Sequence, residues 1–145
     1  GIILAAAGLL RLEMPERIRQ FISPEQCLPA GGQGAVGIEC RTADQSTIDL
    51  IQALHDDITA EQVLAERALN RRLEGGCQVP IACYAIQRDG GLWLRGLVAS
   101  PDGTQVIYDE MSGKPSDAES IGVALAERLL AAGADVILKE VYSNA

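Results

Sequence analysis

Four cysteines are the residues of this chain best suited to covalent chemistry, and their settings differ. Cys77 follows Gly75 and Gly76 and precedes Pro80, so it falls in a loop between a helical and a strand pattern, where reactive groups are presented. Cys27 has a weaker version of this setting. Cys40 and Cys83 fall in strand patterns and are expected to be small buried core residues. A thiolate captures soft electrophilic carbon and holds it stably. Sequence context alone leaves Cys77 as one loop thiol among four, since free cysteines are more often packed than reactive. No Cys-x-x-Cys pair occurs and His55 is the only histidine, so no structural metal is expected. Nothing marks a small secreted scaffold, so reduced thiols in a cytoplasmic protein are expected.

Arg11, with Arg17 and Arg19 one to two turns on, is the second chemical feature. A guanidinium is a planar fork that meets both oxygens of a carboxylate, but a solvated basic face fits equally well, and residue types alone do not choose. Arg67, Arg71 and Arg72 lie beside Glu61, Glu66 and Glu74 on one helical pattern and are expected to form intrahelical ion pairs. Gly31-Gly32-Gln33-Gly34 lacks the Lys-Ser/Thr of a phosphate loop and precedes a strand pattern, so a hinge or a close backbone approach is expected.

The elements that must position these groups follow from periodicity. The first segment, to about Gln20, reads as mostly helix broken at Pro15. Residues 35–41 alternate as a short strand, followed by a helix through Ile48, Leu50, Ile51 and Leu54. A long helix is predicted from Asp57 to about Leu73, with Thr59 and Gln62 spaced as a capping box, Ile58, Ala65, Leu69 and Leu73 on one face, and Gly75-Gly76 as its stop. Strands are predicted at 79–87, 92–99 and 105–110, joined by Asp89-Gly90-Gly91 and Pro101-Asp102-Gly103. A helix capped by Ser116 and Glu119 ends at Gly133, and 136–141 fits helix or strand. Residues 57–145 thus read as an α+β unit, a three-stranded antiparallel sheet with helices on one face, whereas residues 1–55 close no core.

A net charge of -8 and a pI near 4.6 argue against a polyanion-binding surface. The helix, three-strand, helix order is also that of a double-stranded-RNA-binding module, but 57–145 holds no dense run of Lys or Arg. A scaffolding module is the remaining alternative. The apolar opening Gly1–Leu10 has no basic flank and is about half the length of a spanning helix, so no membrane association is expected. Starting without Met inside an apolar helical pattern, it is read as an N-terminal truncation whose exposed Ile2, Ile3 and Leu10 favour self-association.

Three stretches resemble the porphobilinogen deaminase (hydroxymethylbilane synthase) family in order: Ile2-Ile3-Leu4-Ala5-Ala6-Ala7-Gly8-Leu9-Leu10-Arg11-Leu12; Leu28-Pro29-Ala30-Gly31-Gly32-Gln33-Gly34-Ala35-Val36-Gly37-Ile38-Glu39; and Ala65-Glu66-Arg67-Ala68 with Leu73-Glu74-Gly75-Gly76-Cys77-Gln78-Val79-Pro80-Ile81. The resemblance implies that 1–29 end a second domain, that 30–55 return through a hinge to a first domain, both periplasmic-binding-protein-like α/β domains, and that 56–145 form a third, cofactor-attachment domain.

It further implies a dipyrromethane cofactor bound covalently through Cys77, with Leu4, Ala5, Gln33 and Gly34 lining its cleft and Arg11 binding substrate carboxylate. On that primer four porphobilinogen molecules are joined head to tail with loss of ammonia, giving hydroxymethylbilane for heme and other tetrapyrroles. The catalytic aspartate and most carboxylate-binding arginines of the family have no counterpart in this sequence, so the chain alone is expected to be inactive, to need the N-terminal half of the same protein, and to be monomeric when complete. One departure is Gly31-Gly32, where many relatives carry a bulkier residue before a single glycine, a change expected to loosen the hinge.

Overall fold

The computed structural model describes residues 1–76 and 79–143. Its core is a three-stranded antiparallel meander of β1 (Ile81–Arg88), β2 (Gly91–Ala99) and β3 (Val106–Gly113), with α3 (Asp57–Arg72) and α4 (Ala118–Leu129) packed on one face. Preceding it are α1 (Ala6–Arg11) and α2 (Gln45–Ile51), and α5 (Asp135–Ser143) closes the chain. The α+β architecture with helices on one sheet face is the one the sequence predicts.

Alternation in the strands sends one set of side chains to the helices. Cys83 pairs with Gly96 and Ala85 with Leu94, while Val98 pairs with Ile107. Buried Leu92, Leu94 and Val98 meet Leu69 and Leu73 of α3 and Leu125 and Leu129 of α4. Each fully buried Leu side chain stabilises the fold by about 1.5–3 kcal/mol of apolar transfer. Two glycines make this packing close. A Cβ on Gly122 of α4 would collide with the Ala65 carbonyl oxygen of α3, so the two helix backbones lie against each other there. A Cβ on Gly96 would stand 2.8 Å from Leu69 Cδ1, so the sheet also approaches α3 closely.

Several predicted boundaries and caps differ. Helix α3 is capped by Asp56, whose carboxylate accepts from Thr59 N–H, because an aspartate one turn earlier already fills the position predicted for Thr59. Ile58, two turns before Ala65 on the same face, is half exposed in the first turn of the helix, while Ala65, Leu69 and Leu73 are buried. The helix stops at Glu74, which takes a left-handed conformation (φ 56°), ahead of the glycines. Ser116 does not cap α4: its hydroxyl donates to Asp117, and a 3-10 turn of Pro115–Asp117 starts the helix. Gly133 has the expected positive φ (107°), but it kinks the chain from α4 into α5, which resolves 136–141 as helix.

Residues 1–55 bury no large apolar side chain, in keeping with the prediction that they close no core. Helix is confined there to α1, α2 and two 3-10 turns, so the segment to Gln20 is helical only over Ala6–Arg11 and Pro15–Arg17, less than expected. The strand predicted over 35–41 is also absent: those residues are exposed and irregular, with no neighbouring strand to supply the ladder bonds a strand requires. Cys40 is consequently exposed and not a core residue. Among the described residues no helix is long and apolar enough to cross a membrane, and no cluster of His, Cys, Asp and Glu is arranged to hold a metal ion.

Candidate functional site

Cys77 lies outside the described residues, but both ends of its connection are defined. On the α3 side, Leu73 N–H donates to Leu69 O, Gly75 N–H donates to Asn70 O, and the Tyr142 hydroxyl of α5 donates to Glu74 O. A Cβ on Gly75 would collide with Asn70 Oδ1, so a larger residue there requires the Asn70 side chain to swing aside. On the β1 side, Val79 N–H donates to Gly76 O at 3.1 Å and Ala99 N–H donates to Pro80 O. The segment therefore springs from two elements of the core.

The predicted hinge docks on the edge of this unit. Strand β1 is an edge strand, and its outward N–H groups would be left unpaired. Cys83 N–H instead donates to Pro29 O at 3.0 Å, and Ala85 N–H donates to Glu66 Oε1 at 2.7 Å. The other oxygen of Glu66 accepts from Gly32 N–H at 2.6 Å, so one carboxylate joins α3, β1 and the hinge. Glu66 is only 6% exposed. Burial raises the pKa of its carboxyl, against the opposing pull of the Gly32 and Ala85 N–H donors. Cys83, buried beside it, is pushed up to about 12, first by burial and then by the Glu66 charge, which leaves it a packing residue and not a nucleophile.

Gly31 is the contact that lets the hinge approach. A Cβ there would stand 2.9 Å from Cys83 Sγ, so the sulfur fills the room that a larger residue at 31 would take. The expected loosening at Gly31-Gly32 is offset by that sulfur and by the Glu66 bond. Beyond it, Gly32 and Gly34 both have positive φ (76° and 88°), and a Cβ at either would meet nothing within 4 Å. Gln33 and Gly34 are exposed on this open turn.

Leu4 and Ala5 are exposed just before α1, and Arg11 is the exposed last residue of that helix. No hydrogen bond among the described residues joins this group to Gln33 and Gly34, and Arg11 forms no ion pair among them. The arginines of α3 are paired otherwise than predicted. Arg71 and Arg72 reach across to Glu119 and Glu127 of α4, because those carboxylates face them over the helix contact, while Glu66 turns inward. Glu66 and the buried Arg95 of β2 are the charged residues that sequence reasoning missed. A Glu at the centre of the buried stripe Ala65, Ala68, Leu69 was the available signal for the first.

Comparison with protein-family models finds two matches in chain order. Residues 60–131 match porphobilinogen deaminase, C-terminal domain, and residues 1–49 match porphobilinogen deaminase, dipyromethane cofactor binding domain. The second description implies a dipyrromethane cofactor, and Leu4, Ala5, Arg11, Gln33 and Gly34 all fall within that match. A carboxylate-bearing bispyrrole fits these residues in kind: Arg11 offers a guanidinium with no ion pair among the described residues, and the open turn at Gly32 and Gly34 lets a planar group come close to backbone. Cys77 falls within the C-terminal match, in the connection from α3 to β1. Matched in order over most of its length, and folded as helices on one face of a three-stranded sheet, the chain belongs to the porphobilinogen deaminase family, transferases of tetrapyrrole biosynthesis.

Proposed function

We propose that this chain carries the primer of hydroxymethylbilane synthesis on Cys77, through a thioether to dipyrromethane. The observation that supports the reading most is the ordered pair of family matches, a cofactor-binding region over 1–49 followed by a C-terminal domain over 60–131 that contains Cys77. The residues that flank it are tied to the core, Gly75 N–H donating to Asn70 O and Ala99 N–H donating to Pro80 O. When bound, the dipyrromethane supplies the terminal pyrrole to which porphobilinogen units are joined with loss of ammonia.

The remaining roles belong to residues of the chain. Arg11 binds a substrate carboxylate through its planar fork. Leu4 and Ala5 supply an apolar wall, and Gln33 with Gly34 border the pyrroles on the hinge. Residues 1–29 and 30–55 belong to two further domains of a monomeric cytoplasmic enzyme, and 56–145 form the third. The isolated chain does not turn over porphobilinogen, because the family's aspartate has no counterpart in its sequence.

The test is intact mass and peptide mapping of the complete protein. A dipyrromethane increment on the peptide containing Cys77 is expected, and an increment on Cys27, Cys40 or Cys83, or none at all, refutes the assignment. Arg11→Leu is expected to slow chain elongation with the melting temperature unchanged, and unaltered turnover removes Arg11 from the site. Measurable turnover by the 145-residue chain refutes the dependence on further domains.

A further inference from the structure

The sheet face away from the helices gathers aromatic side chains around a buried arginine. Tyr84, Trp93, Arg95 and Tyr108 share this face, since Arg95 pairs in register with Tyr84 and Glu110, and Leu97 pairs with Tyr108. The guanidinium of Arg95 lies over the Trp93 ring at 4.5 Å and over Tyr84 at 5.5 Å. Its side chain is only 6% exposed. Cation–π contact with these rings leaves the N–H edges of the guanidinium still to be satisfied.

One edge makes no hydrogen bond, although Nη2 forms a long ion pair with Glu25. Nε and Nη2 are buried and have no hydrogen-bond partner among the described residues. These two nitrogens form the side of the guanidinium that presents parallel N–H groups to both oxygens of one carboxylate. The cross-strand neighbour Glu110 does not take them; its carboxylate accepts instead from the Tyr108 hydroxyl at 2.7 Å. Glu25, on the turn that covers this face, brings Oε1 to 3.5 Å from Nη2, too long for a hydrogen bond. A buried cation with two idle donors is costly, and a bound anion relieves that cost.

Arg95 lines a cavity of about 480 Å³ between the covering turn and the sheet, with Leu28, Pro80, Ile81 and Leu97 as apolar walls. That is room for a small organic molecule and more than an inorganic ion needs. We propose that this cavity binds a small carboxylate with an apolar body, its two oxygens on Arg95 Nε and Nη2 and its body against Ile81 and Leu97, and that Glu25 competes for the same edge.

The test uses phenylacetate and its neutral isostere phenylacetamide on the whole chain, read by the fluorescence of Trp93, the only tryptophan, and by isothermal titration. Phenylacetate is expected to bind saturably, with the amide weaker by about 10-fold or more, the worth of one or two charge-assisted bonds. Arg95→Met is expected to abolish the difference between acid and amide. Glu25→Gln, which removes the competing charge from an exposed turn, is expected to tighten phenylacetate several-fold. This second variant decides the matter if Arg95→Met fails to fold. Equal binding of acid and amide, an unaltered affinity in Glu25→Gln, or no saturable binding in the millimolar range would each overturn the site.

Discussion

Removing the Glu66 carboxylate tests the inference that one side chain fastens the hinge to the sheet. In Glu66→Ala, Gly32 N–H and Ala85 N–H lose their acceptors at 2.6 and 2.7 Å, and Ala85 is too buried for water to replace one. Each bond to an ionised group contributes about 1.5–3 kcal/mol, so the gross loss is roughly 3–6 kcal/mol. Burial works against the carboxylate, as its raised pKa shows, and removing the group releases that cost. A net loss of about 2–4 kcal/mol is expected, or a fall in melting temperature of roughly 6–14 °C for a chain of this size. Calorimetry gives that number, and native-state hydrogen exchange locates it: the Ala85 and Gly32 amides should exchange at least ~10-fold faster. Glu61→Ala on the same helix is the control, since it removes only an exposed bond to Gln87 and should cost no more than about 0.5 kcal/mol. Wild-type exchange at both amides in Glu66→Ala, or a melting temperature like that of the control, refutes the clamp.

Other perturbations follow from the same geometry. The carboxyl pKa of Glu66 is higher folded than unfolded, so the native state holds its proton longer. Its contribution is therefore complete below the unfolded value near 4.3 and is lost as pH rises through the folded value. Wild type should lose stability relative to Glu66→Gln across that window, and parallel curves would show that the carboxylate is not desolvated. Gly31→Val should cost about 1–3 kcal/mol by collision with Cys83 Sγ, and most of it should return in a double variant with Cys83→Ala; additive costs would place the collision elsewhere. In the native protein iodoacetamide should modify Cys27 and Cys40 but not Cys83, whose thiol is buried and held near 12; fast labelling of Cys83 refutes that burial. Gly122→Ala should cost about 3 kcal/mol or more, because the Ala65 carbonyl it meets is backbone; a wild-type melting curve would mean that α3 and α4 can separate freely.

What could be read in the residues beforehand was whatever depends on near neighbours in the chain. Period-two runs broken by Asp89-Gly90-Gly91 and Pro101-Asp102-Gly103 determined the meander, and the stripe of Ala65, Leu69 and Leu73 determined the face of α3. The motif residues determined the family. Local signals misled where two candidates competed for one role, as with Asp56 and Thr59, or where a pattern had no partner to complete it, as at 35–41. Partners distant in sequence were decided by the tertiary structure alone. Spacing paired Arg71 and Arg72 with carboxylates on their own helix, but the packing of α4 offers Glu119 and Glu127. The place of Glu66 among Ala65, Ala68 and Leu69 is a local sign of burial, but its partners are set only when β1 and the hinge bring two N–H groups to it, and nothing local distinguishes Arg95 from a surface arginine until Trp93, Tyr84 and the covering turn exclude water. The physical reason is one of range: turn chemistry and periodicity act over a few residues, whereas desolvation and hydrogen-bond partnership are set by whatever the fold brings within 3–4 Å.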